Sequence, residues 1–235
     1  MTGPGPTPAA RPGGPAVVRV LDELVVSSLC VGPMENTAYL LTCRASGTQL
    51  LVDAADEADR LLALVRASGD GLATVVTTHR HRDHVGALAA VTAATGADLL
   101  VGSDDADAVV ASTGVTPRRR LVHGDAVICG HVTLDVVALR GHTPGSVALA
   151  YREPGDAREP DAVAGRAHLF TGDSLFPGGP GRTTSRADFT QLMDDLEERV
   201  FARFDDRTLV HPGHGAGTVL GAERPRLGEW RARGW

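Results

Sequence analysis

The sequence contains no lysine; all 23 basic residues are arginine. Without an ε-amino group, Schiff-base chemistry and a lysine-bearing phosphate loop are excluded. Cysteine is scarce: Cys30, Cys43 and Cys129 are far apart and form no C-x-x-C pair. An odd set of thiols and no secretory signal suit a reduced, cytoplasmic protein. Each cysteine sits in an apolar, strand-like run and reads as a core thiol rather than a nucleophile. No apolar run approaches the roughly 20 residues needed to span a bilayer, so no membrane association is expected. Positive charge is not in excess either. The net charge is −6, which argues against a nucleic-acid partner. The one basic run, Arg118, Arg119 and Arg120, reads as a solvated turn.

Hydrophobic residues make up 43% of the 235, ample for a packed core. Residues 1–15 are rich in Pro and Gly and are expected to form a flexible leader, with 16–235 as a single domain. Residues 17–26 read as one or two strands, 36–43 and 48–54 as a hairpin, and 56–69 as a helix ending on glycine. A β-branched strand at 73–79 is followed by a helix at 84–96 and a strand at 97–102. The second half begins with a β-rich stretch at 125–139 and a strand at 146–152. A polar loop at 153–167 leads to a strand at 168–172, a long amphipathic helix at 186–204 and a strand at 208–214. A terminal helix or turn packed by Trp230 or Trp235 closes the chain. Strand–helix–strand units on both sides of a β-rich middle predict an α/β fold, with two mixed sheets flanked by helices in an αββα sandwich.

The chemistry concentrates in TTHRHRDHVGA, residues 77–87, where three of the nine histidines fall within six positions. His79, His81, Asp83 and His84 lie between a strand and a helix, where side chains can converge. Imidazole with carboxylate suits Zn, Fe or Mn. Three further segments have one form: a strand, a turn, then one possible ligand. They are RGHTPGS with His142, FTGDSLF with Asp173 and VHPGHG with His214. His123, His131, His168 and His211 read as structural or surface residues. Asp53 reads either as a carboxylate that orients a ligand histidine or as a turn cap.

These motifs, H-x-H-x-D-H, G-H-T-x-G, T-G-D-S-L-F and P-G-H-G in that order, resemble the metallo-β-lactamase superfamily. The resemblance is strongest to its glyoxalase II-like (hydroxyacylglutathione hydrolase-like) short, single-domain members. It implies the αββα fold of the metallo-β-lactamase type and a site where the two halves meet. It also implies two divalent ions, Zn first, with Fe or Mn as alternatives. His79, His81 and His142 would serve one ion; Asp83, His84 and His214 the other; Asp173 would bridge them. A hydroxide between the ions would attack a thioester carbonyl, with Asp83 as the catalytic carboxylate managing its proton.

The ligand set separates branches of the superfamily. The bridging Asp173 distinguishes the chain from antibiotic-opening lactamases, and His81 from the flavodiiron proteins. Persulfide dioxygenases are the nearer alternative, with one iron on His79, His142 and Asp173. Lactone hydrolysis and a non-catalytic metal-binding module are others. Ser146 stands where the family often has a further histidine. The thiol carrier therefore need not be glutathione, and the expected partner is a small acyl thioester. Arg182, in Gly181-Arg182-Thr183, is placed by the resemblance either at a substrate contact or as a brace of its loop. Oligomeric state is not legible.

Overall fold

The computed structural model describes residues 4–234. The chain opens with seven strands that follow their sequence order in one sheet: β1 (Val17–Val20), β2 (Leu24–Val31), β3 (Asn36–Cys43), β4 (Gln49–Val52), β5 (Leu72–Thr77), β6 (Asp98–Gly102) and β7 (Arg119–Leu121). Pairing is antiparallel from β1 to β4 and parallel from β4 to β7. The parallel steps need crossovers. These are α1 (Ala58–Ala67), then α2 (Arg82–Val85) with α3 (Leu88–Thr95), then α4 (Ala106–Thr113).

The second sheet uses β8 (Ala126–Cys129), β9 (Val132–Ala138), β10 (Val147–Arg152) and β11 (Ala167–Gly172). A small ribbon follows, β12 (Leu175–Phe176) with β13 (Gly179–Pro180), and then α5 (Arg186–Leu196). The sheet is completed by β14 (Leu209–Pro212) and β15 (Thr218–Val219), in the order β15-β14-β11-β10-β9-β8. Only β11 and β14 pair in parallel. The chain ends in α6 (Leu220–Glu223) and α7 (Leu227–Arg233).

Both sheets are thus mixed, and three apolar layers hold the sandwich together. Leu41, Val76, Leu134, Val136, Leu149 and Phe170 meet between the sheets. Leu40, Leu51 and Val75 turn the other way, against Leu61, Val65 and Leu88 of the helices. Val137, Ala148 and Leu169 likewise meet Leu192, Met193 and Trp230. Period-two alternation in β9 and β10 sends neighbouring side chains to opposite apolar layers. β10 is buried on both faces and reads as a nearly continuous apolar run, whereas the first half of β9 alternates and exposes Thr133 and Asp135.

Several expectations are corrected. The helix expected at 84–96 is broken: Ala87 donates its N–H to Ala54 O at 3.0 Å, outside the helical ladder. At Gly86 a Cβ would lie 2.6 Å from Ala55 O, so the chain passes where a side chain would collide. The arginine run is no turn, because Arg119–Leu121 pairs as strand β7. Arg118, Arg119 and Arg120 meet Asp98, Asp125 and Asp107 respectively, so the charge is locally balanced. The long helix is regular only to Leu196, then widens into a π turn at Glu197–Phe201. Trp230 is fully buried, whereas Trp235 lies outside the described residues.

The described part of the Pro/Gly-rich leader touches the body. Arg166 and Arg19 donate to Pro4 O and Gly5 O, and Gly217 N–H donates to Thr7 O.

Candidate metal centre

Strands β4 and β5 lie side by side and deliver Asp53 and the histidine loop to one sheet edge. Asp53 has φ +59°, a left-handed conformation that turns its carboxylate back under the loop. Its Oδ1 accepts the Thr78 N–H at 2.7 Å. Its Oδ2 accepts the Thr78 hydroxyl at 2.7 Å and the His84 Nδ1–H at 2.8 Å. Having given its proton to Asp53, the Thr78 hydroxyl is left to accept from His79 Nδ1, 3.1 Å away. Asp53 thus bonds His84 directly and reaches His79 through Thr78.

Two other rings, His142 and His214, are oriented by backbone carbonyls. His142 Nδ1–H donates to Arg182 O at 2.6 Å, and His214 Nδ1–H to Met34 O at 2.9 Å. A hydrogen bond at Nδ1 fixes the ring and commits Nε2 to the opposite direction. Four Nε2 atoms are thereby turned inwards. His79 Nε2 and His142 Nε2 are 3.2 Å apart.

Asp173, just past β11, lies between the histidines. Its Oδ1 is 3.4 Å from His84 Nε2, and its Oδ2 is 3.7 Å from His142 Nε2 and 3.5 Å from His214 Nε2. Asp83 Oδ2 is 3.4 Å from both His84 Nε2 and His214 Nε2. All seven residues singled out from the motifs are brought together. They form three groups with ligand atoms within 4.8 Å: His79, His81 and His142; His79, His84 and Asp173; Asp83, His84 and His214. Gly213 makes this possible. A Cβ there would stand 2.3 Å from Asp173 Oδ1 and 2.7 Å from His84 Cε1.

The charges of the cluster act strongly on one another. Burial pushes His79 far below the usual imidazole value, with the His84 charge adding to the effect. His81 is lowered by burial and by His142. His84 is opposed by burial, but Asp53 and Asp173 outweigh it and lift the ring to about 10. His214 is raised, since Asp173 overcomes its burial. Asp173 is held well below the carboxylate range despite burial, because His214 and His84 favour its charge. Asp83 is lowered as well; its burial is outweighed by the Asn36 hydrogen bond and by His84.

The donor set fits divalent cations. Inward-facing imidazole nitrogens and two carboxylates are borderline ligands. Asp173 Oδ1 is moreover buried with no hydrogen bond of good geometry among the described residues, its near neighbour being His84 Nε2 at 3.4 Å, which leaves it free to turn to a cation.

Two contributors escaped the sequence reading. Asn36, at the start of β3, donates Nδ2 to Asp83 Oδ2 at 2.9 Å and sits 3.3 Å from both His84 Nε2 and His214 Nε2. Thr78 is the other. Neither residue type carries a ligand signature. The remaining histidines stay apart. His168 and His211 are buried and stacked between the sheets, and His123 and His131 are exposed. The three thiols are buried and unpaired. No helix among the described residues is long and apolar enough to cross a membrane.

The model of the metallo-beta-lactamase superfamily matches residues 31–157. The chain belongs to the metallo-beta-lactamase superfamily. Among its relatives is a hydroxyacylglutathione hydrolase of Polaromonas sp. (strain JS666), 34% identical over 76% of this chain and 62% of that protein. The chain thus spans about three fifths of the length of such relatives. Among superfamily structures, TTHA1623 in a di-iron-bound form is 31% identical with a TM-score of 0.61, covering 84% of this chain and 96% of that one. ETHE1 from Myxococcus xanthus is 28% identical with a TM-score of 0.71, covering 87% and 84%.

Proposed function

We propose that the chain is a dinuclear-metal hydrolase that cleaves an acyl thioester, with residues 16–235 as its one domain. The observation that carries this reading is the double set of ligands around Asp173. His79, His81 and His142 face one side, and Asp83, His84 and His214 the other. Two divalent ions, Zn first and Fe or Mn as alternatives, would supply Lewis acidity that makes water nucleophilic near neutral pH and polarises the carbonyl.

The protein's own groups do the rest. Asp53, Arg182 O and Met34 O lock ring orientations, so little rearrangement is needed on binding. Asp83, kept ionised and oriented by Asn36, is the proton acceptor through its Oδ atoms. Arg182 is read here as a substrate contact rather than only a brace of its loop. Its carbonyl braces His142, while its exposed side chain lines a groove of about 510 Å³ with Thr184, Phe189 and Arg233. That groove is suited to the anionic part of a thiol carrier. The reading is of a cytoplasmic enzyme acting on a small molecule, which the three unpaired thiols support.

The test is metal analysis together with substrate turnover. Protein loaded with two ions should release thiol from S-D-lactoylglutathione or a comparable thioester, and His81→Ala should abolish release. A second reading, oxidation of a persulfide at one iron on His79, His142 and Asp173, is fitted by the likeness to ETHE1. It predicts oxygen consumption and one iron per chain. The complete Asp83–His84–His214 group favours hydrolysis, of a thioester ahead of a lactone, and argues against a non-catalytic metal-binding module.

A further inference from the structure

Asp105 stands at the head of α4, fully buried and remote in sequence from every residue of the centre. Its Oδ2 accepts the Arg80 N–H at 3.0 Å and the Thr143 hydroxyl. Its Oδ1 accepts the Gly145 N–H at 3.0 Å and lies 3.6 Å from the Arg80 guanidinium. Arg80 is the residue between His79 and His81, and Thr143 follows His142. One carboxylate is therefore bonded to both segments that supply the His79–His81–His142 group, which come from different halves of the sandwich.

Buried polar oxygens need partners, and the donors on its two oxygens hold this carboxylate in place. The Asp carboxylate accepts at both oxygens. Asn of the same shape would turn an NH2 towards either the Arg80 and Thr143 donors or the Gly145 donor, and one side of the bridge would open. The opposite group is held otherwise: His84 by Asp53, His214 by Met34 O, and Asp83 by Asn36.

We propose that Asp105 is a positioning residue that sets the span of the His79–His81–His142 group and so its affinity for a divalent ion. This rests on the two-ion reading above.

The test uses the full chain and Co2+ alone, titrated against a chromophoric chelator and read by its visible spectrum. His81→Ala and His214→Ala assign the two binding events. Asp105→Asn should weaken the event lost in His81→Ala by about 10–100-fold, the usual effect of removing a partner that orients ligands. The other event should move by less than about threefold on that scale. Asp104→Asn, at the exposed neighbouring acid, should change neither. Thr143→Val, which keeps the carboxylate but deletes one donor, should weaken the same event by a smaller factor. It also serves as the readout if Asp105→Asn does not fold. Unchanged affinities in folded Asp105→Asn, or in Thr143→Val in its place, would overturn the proposal. So would equal weakening of both events, which would mark Asp105 as a general structural residue. Failure of the wild type to bind two ions would instead overturn the reading beneath it.

Discussion

His79 Nε2 and His142 Nε2 lie 3.2 Å apart, and the Nδ1 atom of each ring faces a hydrogen-bond acceptor on its other side. With Nδ1 so committed on both rings, the two Nε2 atoms point at one another, an arrangement that a cation held between them would complete.

Divalent ions should therefore stabilise the fold. At 1,000 times the dissociation constant, binding to the folded state alone adds about 4 kcal/mol, or roughly 8–16 °C for a chain of this size. Thermal scans with Zn2+ and with a chelator should differ by that order, and His79→Ala should shrink the difference.

Asp53→Ala removes the acceptor for Thr78 N–H, the Thr78 hydroxyl and His84 Nδ1–H together. Metal affinity should fall by about 10–100-fold. Competition with a chelator measures this, and circular dichroism of the metal-free variant checks that the fold persists.

Acid should destabilise the metal-free protein through the buried histidines away from the centre. His211 is driven well below 6.5 by burial, with His168, Arg19 and Arg166 adding to the effect, and burial also lowers His168 against Glu153. Their folded-state values are depressed, so the unfolded chain takes up the extra protons. Their contribution is complete above the ordinary histidine value of about 6.5 and declines as pH falls below it. His211→Phe, which keeps an aromatic ring stacked on Phe170 with Tyr39 edge-on but has no titrating nitrogen, should flatten that decline in urea-unfolding midpoints measured from pH 7.5 to 5.

Gly213→Ala would force a Cβ into Asp173 and His84. Overpacking of this kind costs about 1–3 kcal/mol, and here the strain falls on ligands. Stoichiometry measured by metal analysis should drop from two ions towards one before the melting temperature shows global loss.

Arg182→Ala should raise KM for an anionic thioester by roughly tenfold, the worth of one charge-assisted contact, with kcat changed much less. An uncharged thioester should show no such change in steady-state assays.

The layered fold was legible because alternating and continuous apolar runs report which faces are covered. The motifs were legible because histidine is rare and Gly or Pro marks each turn. What sequence hides is contact across distance. Asn36 reaches Asp83 across 47 positions, and Asp105 reaches Gly145 across 40. Neither residue differs locally from an ordinary strand start or helix end. Asp53 was ambiguous because a carboxylate after a strand can cap a turn as well as hold a ring, and its bonds to His84 and Thr78 join residues 25 or more positions away. The break at Gly86 depends on Ala54 and Ala55, which no helical pattern contains. The arginine run looked like a turn because its acidic partners, Asp98, Asp107 and Asp125, lie on other segments.

The most direct test of the central claim pairs metal content with thiol release on one preparation. The two-ion hydrolase predicts close to two divalent ions per chain and release of thiol from an acyl thioester; in His81→Ala the content should fall towards one ion and release should be lost. Stoichiometric metal with no turnover across thioesters of several thiol carriers would contradict it.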